Sequence, residues 1–307
     1  MPTVRSSLTA AATLLVVLTA QPAAARDLFV DNMVGHDAFD ASTARPGNDR
    51  TGPVKTIRRA LRLAGPSDTV HLANHGEPYY ESLELTGRRV SGTELHPFTI
   101  DGHGAIVSGA RSIPPRAWSI HRGRVWKVTP TRKGFYQLLL SHVALPEVPC
   151  PRSARSLPKL EPGQWCAWNG SIYFHATDAP GGTPPDLPLA FAYDSVGLTL
   201  YDVQHVLIRN VTFRHFRQDG VNAHDLARYV ILDNVKSIEN GRMGLSVSGS
   251  SLVGLKDSAL GGNRAAQLLN TERAQTELLN TVLDDRPGDR LRIDGGHVLI
   301  DGEEVTP

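Results

Sequence analysis

His224 is the side chain in this sequence best suited to proton transfer. Asp225 follows it, Asn222 and Asp219 precede it, and Arg217 lies just upstream. A histidine with carboxylate neighbours acts as a general base or acid near neutral pH, and a tyrosine can be its proton-transfer partner. Tyr201 is the nearest tyrosine upstream of His224. Carboxylates offer a second chemistry through Asp202, Asp225 and Glu272. On stacked strands, Asp202 and Asp225 would stand one step apart, about 4.8 Å, near the spacing of retaining glycosidases. Asp225 and Glu272 would stand two steps apart, roughly 9.6 Å, at the limit for inverting ones. Asn222, Arg217, Arg242, Ser246 and Ser248 are the expected contacts for a bound glycan. Asp202, Asp219 and Asp225 could also hold Ca²⁺ against an acidic glycan, although no dense acidic loop demands a metal and no cofactor is expected. Each candidate also has a plainer reading, as a surface histidine held by Asp225 or as solvated acidic residues at strand ends.

These side chains share one element only if the chain repeats, and it does. Gly197-Leu198-Thr199-Leu200-Tyr201-Asp202 aligns with Gly220-Val221-Asn222-Ala223-His224-Asp225, then with segments beginning at Gly244, Gln267 and Arg290. Tyr201 and His224 occupy the same place in successive repeats. A second register runs alongside through Val206-Leu207-Ile208-Arg209-Asn210 and the segments ending at Asn234, Asp257 and Asn280. A unit this short cannot bury its apolar side alone, so successive units must coil and stack. The fold expected is an all-β, right-handed parallel β-helix with about 23 residues per rung. Leu198, Val221, Leu245, Leu268 and Leu291 form one inward column, and Ile208, Leu232, Leu255 and Leu278 another. Tyr201, His224, Ser248, Thr271 and Asp294 point outward together. A leucine-rich solenoid is the competing fold and expects a tighter repeat.

Charge is nearly balanced, 32 Lys+Arg against 31 Asp+Glu, so no basic field favours nucleic acid. Residues 1–25 read as a signal peptide, with Arg5, an apolar run from Leu8 to Ala20 and an Ala-rich cleavage region; a retained N-terminal anchor is the alternative. The run is too short for a typical membrane span, and the chain is expected to be secreted or periplasmic and monomeric. Residues 26–110 carry an N-terminal cap and the first rungs, with an amphipathic helix over 56–64. Residues 111–191 interrupt the repeat, and 192–307 resume it, all within one domain. Both cysteines, Cys150 and Cys166, lie in the interruption and are expected to pair in an oxidising compartment. Its tryptophans, Trp165 and Trp168 among them, either wall a sugar cleft or fill a small core. Trp165 to Phe174 read as a hairpin turning at Asn169-Gly170.

Phe29-Val30-Asp31-Asn32, Gly52-Pro53-Val54-Lys55-Thr56-Ile57 and Pro66-Ser67-Asp68-Thr69-Val70 resemble the opening of many exported, pectin-lyase-like β-helix proteins, including polysaccharide lyases. The interruption resembles the small β-insertion of β-helix proteins related to glycoside hydrolases. Residues 219–225 resemble the catalytic strand of mannuronan epimerases and related lyases: Gly220, His224 and Asp225 agree, while that family's tyrosine, aspartate and proline fall at Asp219, Asn222 and Ala223. The Asp-Asp and Gly-His-Gly signatures of polygalacturonases are missing at matching places, and the Arg-x-Pro-x-x-Arg stretch of pectate lyases is absent. The resemblances imply a polysaccharide partner and either a glycosidase or a lyase or epimerase activity. A non-catalytic glycan-binding or surface protein is the alternative.

Overall fold

A computed structural model describes residues 25–47, 50–151, 153–177, 179 and 181–306. The signal peptide expected over 1–25 lies outside the described residues, apart from Ala25. Among the described residues no helix is long and apolar enough to cross a membrane.

The repeat coils into a parallel β-helix with three strand faces. The first face stacks Leu83–Thr86, Val196–Tyr201, Asp219–His224, Met243–Val247 and the leading halves of Ala266–Leu279 and Asp289–Ile300, all parallel. The second stacks Asp27–Val30 and Thr69–Leu72 with the leading halves of Phe98–Ser108, Gln204–Arg214 and Arg228–Ile238, then Leu252–Lys256. The third uses the trailing halves of those long strands with Ala259–Gly261 and Val282–Leu283.

The corners follow from side chains that tolerate a left-handed backbone. Asp202, Asp225 and Glu272 turn the chain from the first face to the second, with φ of 50–60°. Asn210, Asn234, Asp257 and Asn280 turn it from the second to the third, with φ of 46–55°. The latter form a ladder along the axis: Asn210 Nδ2 donates to Asp101 (3.0 Å), Asn234 Nδ2 to Asn210 (2.9 Å) and Asn280 Nδ2 to Asp257 (2.6 Å).

Inside, Leu198, Val221, Leu245 and Leu268 stack fully buried, as do Ile208, Leu232 and Leu278, with Leu255 nearly so. Leu291 is only half-buried because it lies toward the end of the coil. A buried polar ladder runs within the third corner, where Asn240 Oδ1 accepts from Phe216 N, and Asn263 Oδ1 accepts from Asn240 N and Nδ2. Such groups are stable inside only because each is paired.

The helix Ile57–Leu63 closes the N-terminal end, burying Ile57, Ala60 and Leu61. Thr56 Oγ1 accepts from Arg59 N at 3.1 Å, and the buried Glu81 carboxylate accepts from Ile57 N and Arg58 N. That carboxylate meets the positive end of the helix.

The interruption folds as two antiparallel four-stranded sheets. One orders Trp165–Trp168, Ser171–His175, Val125–Val128 and Ser119–Arg122; the other orders Ala110–Ser112, Leu189–Ala192, Leu138–Leu140 and Val143–Ala144. Asn169 and Gly170 have φ of 46° and 71°, the two positive values of a type I′ turn. The expected Cys150–Cys166 bridge is not formed, and both are free thiols. Cys166 is buried beside Leu160 and Tyr173, while the Cys150 thiol faces the Pro151 carbonyl at 3.9 Å. Burial, with Cys150 nearby, pushes the Cys166 thiol up to about 12.

Candidate functional site

The outer surface of the first face gathers several of the sequence-derived candidates. Tyr201 and His224 sit side by side in register, their ring centroids 5.0 Å apart. Asp225 Oδ2 lies 3.1 Å from His224 Nδ1. An ionised carboxylate only accepts, so Nδ1 carries a proton, and in the neutral imidazole Nε2 holds the lone pair. The His224 side chain is 34% exposed, enough to meet a substrate. Thr86 pairs with Tyr201 in the preceding rung, and Ser248 follows in the next.

Asp219 and Arg242 have a different place from the one expected. Asp219 is fully buried and accepts from Arg242 Nε at 2.7 Å, from Arg242 Nη2, from Met243 N at 3.3 Å and from Asn222 Nδ2 at 3.3 Å. The hydrogen bond to Asp219 raises the Arg242 guanidinium further above its ordinary value. A carboxylate so enclosed positions Asn222 and ties two rungs together; it is not open to a substrate or to Ca²⁺. Asp202, Asp219 and Asp225 do not converge as a ligand group among the described residues.

The remaining candidates divide by exposure. Arg217 donates to the Lys133 carbonyl at 2.8 Å and to Ser195 Oγ at 2.9 Å, tying the insertion to the first face; burial lowers its pKa, and Arg132 adds to this. Ser246, paired with Asn222 in register, is 7% exposed. Asp202 is exposed at its corner, and Glu272 accepts from Gly249 N at 2.6 Å. Trp165 lies in the insertion core, 2% exposed, and donates to the Leu145 carbonyl at 2.9 Å; it is not a sugar platform. Trp168 is half-buried, with Nε1 donating to the Ala154 carbonyl.

Trp168 does line a cleft of about 650 Å³ between the insertion and the coil, together with Tyr136, Glu147, Asn169, Gly241 and Arg264. Glu147 pairs with Arg264, which also donates to the Tyr136 carbonyl at 2.6 Å. Burial pushes Glu147 above the ordinary carboxylate value, against the pull of Arg264. The sequence reading missed both residues. Arg264 had a signal, since it stands two repeats beyond Arg217 at the same place in the rung; Glu147, in the non-repeating insertion, had none.

At its other end the first face meets the capping helix. A cavity of about 480 Å³ there is lined by Arg58, Arg62, Glu84, Thr86 and Arg89 among others. Arg89 is engaged by the carbonyls of Leu61 and Ala64. Arg58 and Arg62 leave a basic end one rung beyond Tyr201.

No protein-family model matches this chain, and no curated protein matches it. Among solved structures, one described as a glycoside hydrolase aligns with a TM-score of 0.59 at 11% identity, covering 82% of this chain and 72% of that one. XylC in complex with xylose aligns at 0.46 and 10% identity, covering 89% and 66%. The lacto-N-biosidase of Eubacterium ramulus aligns at 0.44 and 11% identity, covering 83% of this chain and 41% of its own length. The chain thus spans about two thirds of the first two structures and less than half of the third. The chain has a parallel β-helix fold, which it shares with the structure described as a glycoside hydrolase.

Proposed function

We propose that this is an exported protein that cleaves or epimerises an acidic polysaccharide, with the sugar chain lying across the outer surface of the first face. The observation that carries the reading is the Tyr201–His224–Asp225 arrangement, in which Asp225 fixes the imidazole so that Nε2 is the base. The basic end formed by Arg58 and Arg62 supports an acidic sugar, and the glycoside-hydrolase structure of the same fold supports a polysaccharide. In cleavage, His224 Nε2 removes the proton from the carbon beside the sugar carboxylate. That electron pair forms a carbon–carbon double bond, the glycosidic bond breaks, and the Tyr201 phenol protonates the departing oxygen. Asn222, positioned by Asp219, and Ser248 contact the sugar hydroxyls.

Hydrolysis is a second reading, favoured by one observation: Glu147, its pKa raised by burial, beside Trp168 in the insertion cleft. A raised carboxyl is what a general acid needs. Incubating the purified protein with uronate-containing and neutral polysaccharides separates the two. Unsaturated ends seen by ultraviolet absorbance, lost about 10²–10⁴-fold in His224→Ala, are the expected result. New reducing ends without unsaturation, abolished by Glu147→Gln, would establish hydrolysis instead. Binding without either product, and with the uronate epimer composition unchanged by NMR, would mark a glycan-binding protein.

A further inference from the structure

At the N-terminal end of the second face lie four side chains that none of the chemistry above uses. His71 stands on Thr69–Leu72, and His103 stands in the bend within Phe98–Ser108. His71 Nδ1 is 3.1 Å from His103 Nε2. The ring planes lie within 18° of parallel and the centroids are 5.4 Å apart. The centroid separation exceeds the nitrogen separation by 5.4 − 3.1 = 2.3 Å, about one ring's width, so the rings meet edge to edge. The outer nitrogen of each ring faces a carboxylate: Asp27 Oδ1 is 2.8 Å from His71 Nε2, and Asp101 Oδ1 is 3.6 Å from His103 Nδ1.

This arrangement is held from beneath. Asp101 is buried and accepts from Arg209 Nε at 2.8 Å, Asn210 Nδ2 at 3.0 Å and His103 N at 3.1 Å. His103 has φ 48°. A Cβ on the preceding Gly102 would lie 2.4 Å from the Asn210 carbonyl oxygen, so this bend admits only glycine there. On the far side, Phe29 stacks on His71 with centroids 5.2 Å apart.

The Asp27 carboxylate only accepts, so His71 Nε2 donates to it, while His103 Nδ1 faces Asp101 beyond hydrogen-bond distance. His71 Nδ1 and His103 Nε2 are thus turned toward one another at 3.1 Å, two imidazole nitrogens aimed at one point with a carboxylate behind each ring. The geometry points to a transition-metal site in which His71 Nδ1 and His103 Nε2 are the ligands and Asp27 and Asp101 orient the two imidazoles, as carboxylates do behind metal-bound histidines. With metal–nitrogen bonds of about 2.05 Å, the present separation corresponds to a nitrogen–metal–nitrogen angle of about 98°, between octahedral and tetrahedral values. The rings reach it by tipping out of line, and His103, with 51% of its side chain exposed, is free to tip. Imidazole donors select a borderline cation such as Zn²⁺ or Ni²⁺ over Ca²⁺ or Mg²⁺. Because the four residues come from three successive turns, the ion clips together the end of the coil beside the capping helix. The site is independent of the polysaccharide reading.

Titration calorimetry of the full chain with ZnCl₂, NiCl₂ and CaCl₂ tests it. One Zn²⁺ site is expected, weakened at least about tenfold by His71→Asn, by His103→Asn and by Asp27→Asn, and unchanged by His75→Asn, whose ring pairs with Asp31 instead. Zn²⁺ should raise the thermal midpoint of the parent protein and leave those of His71→Asn and His103→Asn unmoved, with far-UV circular dichroism showing that each variant is folded. Zn²⁺ binding that survives both histidine changes would overturn the proposal. So would a parent protein that binds no Zn²⁺, which would mean that the pair holds only a proton, or a Ca²⁺ affinity equal to that for Zn²⁺.

Discussion

Arg242→Met tests whether the Asp219 clamp organises the first face. Asp219 takes four hydrogen bonds, two of them from the Arg242 guanidinium. The change leaves two contacts, each 3.3 Å long, and a fully buried carboxylate with no counter-charge. Breaking a buried pair from one side costs about 3–5 kcal/mol, whereas an exposed pair contributes about 0–1 kcal/mol. Asp219 has none of its side chain exposed and Arg242 has 31%, which places the variant at the lower end of the first range, about 3 kcal/mol. The double change Asp219→Leu with Arg242→Met removes both charges and should be more stable than Arg242→Met alone, with a coupling of about 1–3 kcal/mol between the sites. Urea unfolding followed by far-UV circular dichroism reads the coil, since all four tryptophans lie in the insertion. An Arg242→Met protein within about 0.5 kcal/mol of the parent would show an ordinary surface substitution and refute the clamp.

Burial holds Glu147 above the ordinary carboxylate value. Its contribution is therefore fully present below that ordinary value and is lost as pH rises through the raised one; this component should vanish in Glu147→Gln, and parallel pH profiles of thermal midpoint for the two proteins would contradict it. With its thiol at about 12, buried Cys166 should resist iodoacetamide at pH 8 until urea is added, and mass spectrometry showing its prompt labelling in the native protein would count against the burial. Gly220→Ala should destabilise by more than the about 1 kcal/mol typical of a substitution, because the new methyl would lie 1.9 Å from Ser237 Oγ and 2.6 Å from Asn240 Nδ2; an unchanged urea midpoint would mean that the third corner yields.

What could be read from the sequence is what the coil repeats. Leu198, Val221, Leu245 and Leu268 are legible because one turn of the coil equals one period of the sequence, so a column in space is a spacing in the chain. The same logic found the Asn210–Asn280 corner, where the left-handed backbone selects short polar residues. It also held a signal that went unused, since Asn240 and Asn263 stand one repeat apart and form the buried ladder of the third corner. The third face was harder to see because its strands continue from the second face through a single corner residue, as at Asn210, so the two read as one segment.

The candidate site was legible only where the repeat alone builds it. Tyr201 and His224 are one period apart, and their contact follows from strand register. Asp219 occupies an equally regular position, yet its burial and its bonds to Arg242 and Asn222 depend on contacts along the face that alternation does not encode. The Glu147–Arg264 pair joins one residue of the insertion to one of the coil, and only the folded arrangement brings them together. A periodic sequence therefore announces the scaffold and the side chains aligned on it, while the half-buried Glu147, held above the ordinary carboxylate value, arises where the repeat meets something that does not repeat. The insertion thus calls for mutational study equal to that of the His224 face: it encloses the cleft, and through Arg217 and Lys133 it is tied to the same strands that carry Asn222 and His224.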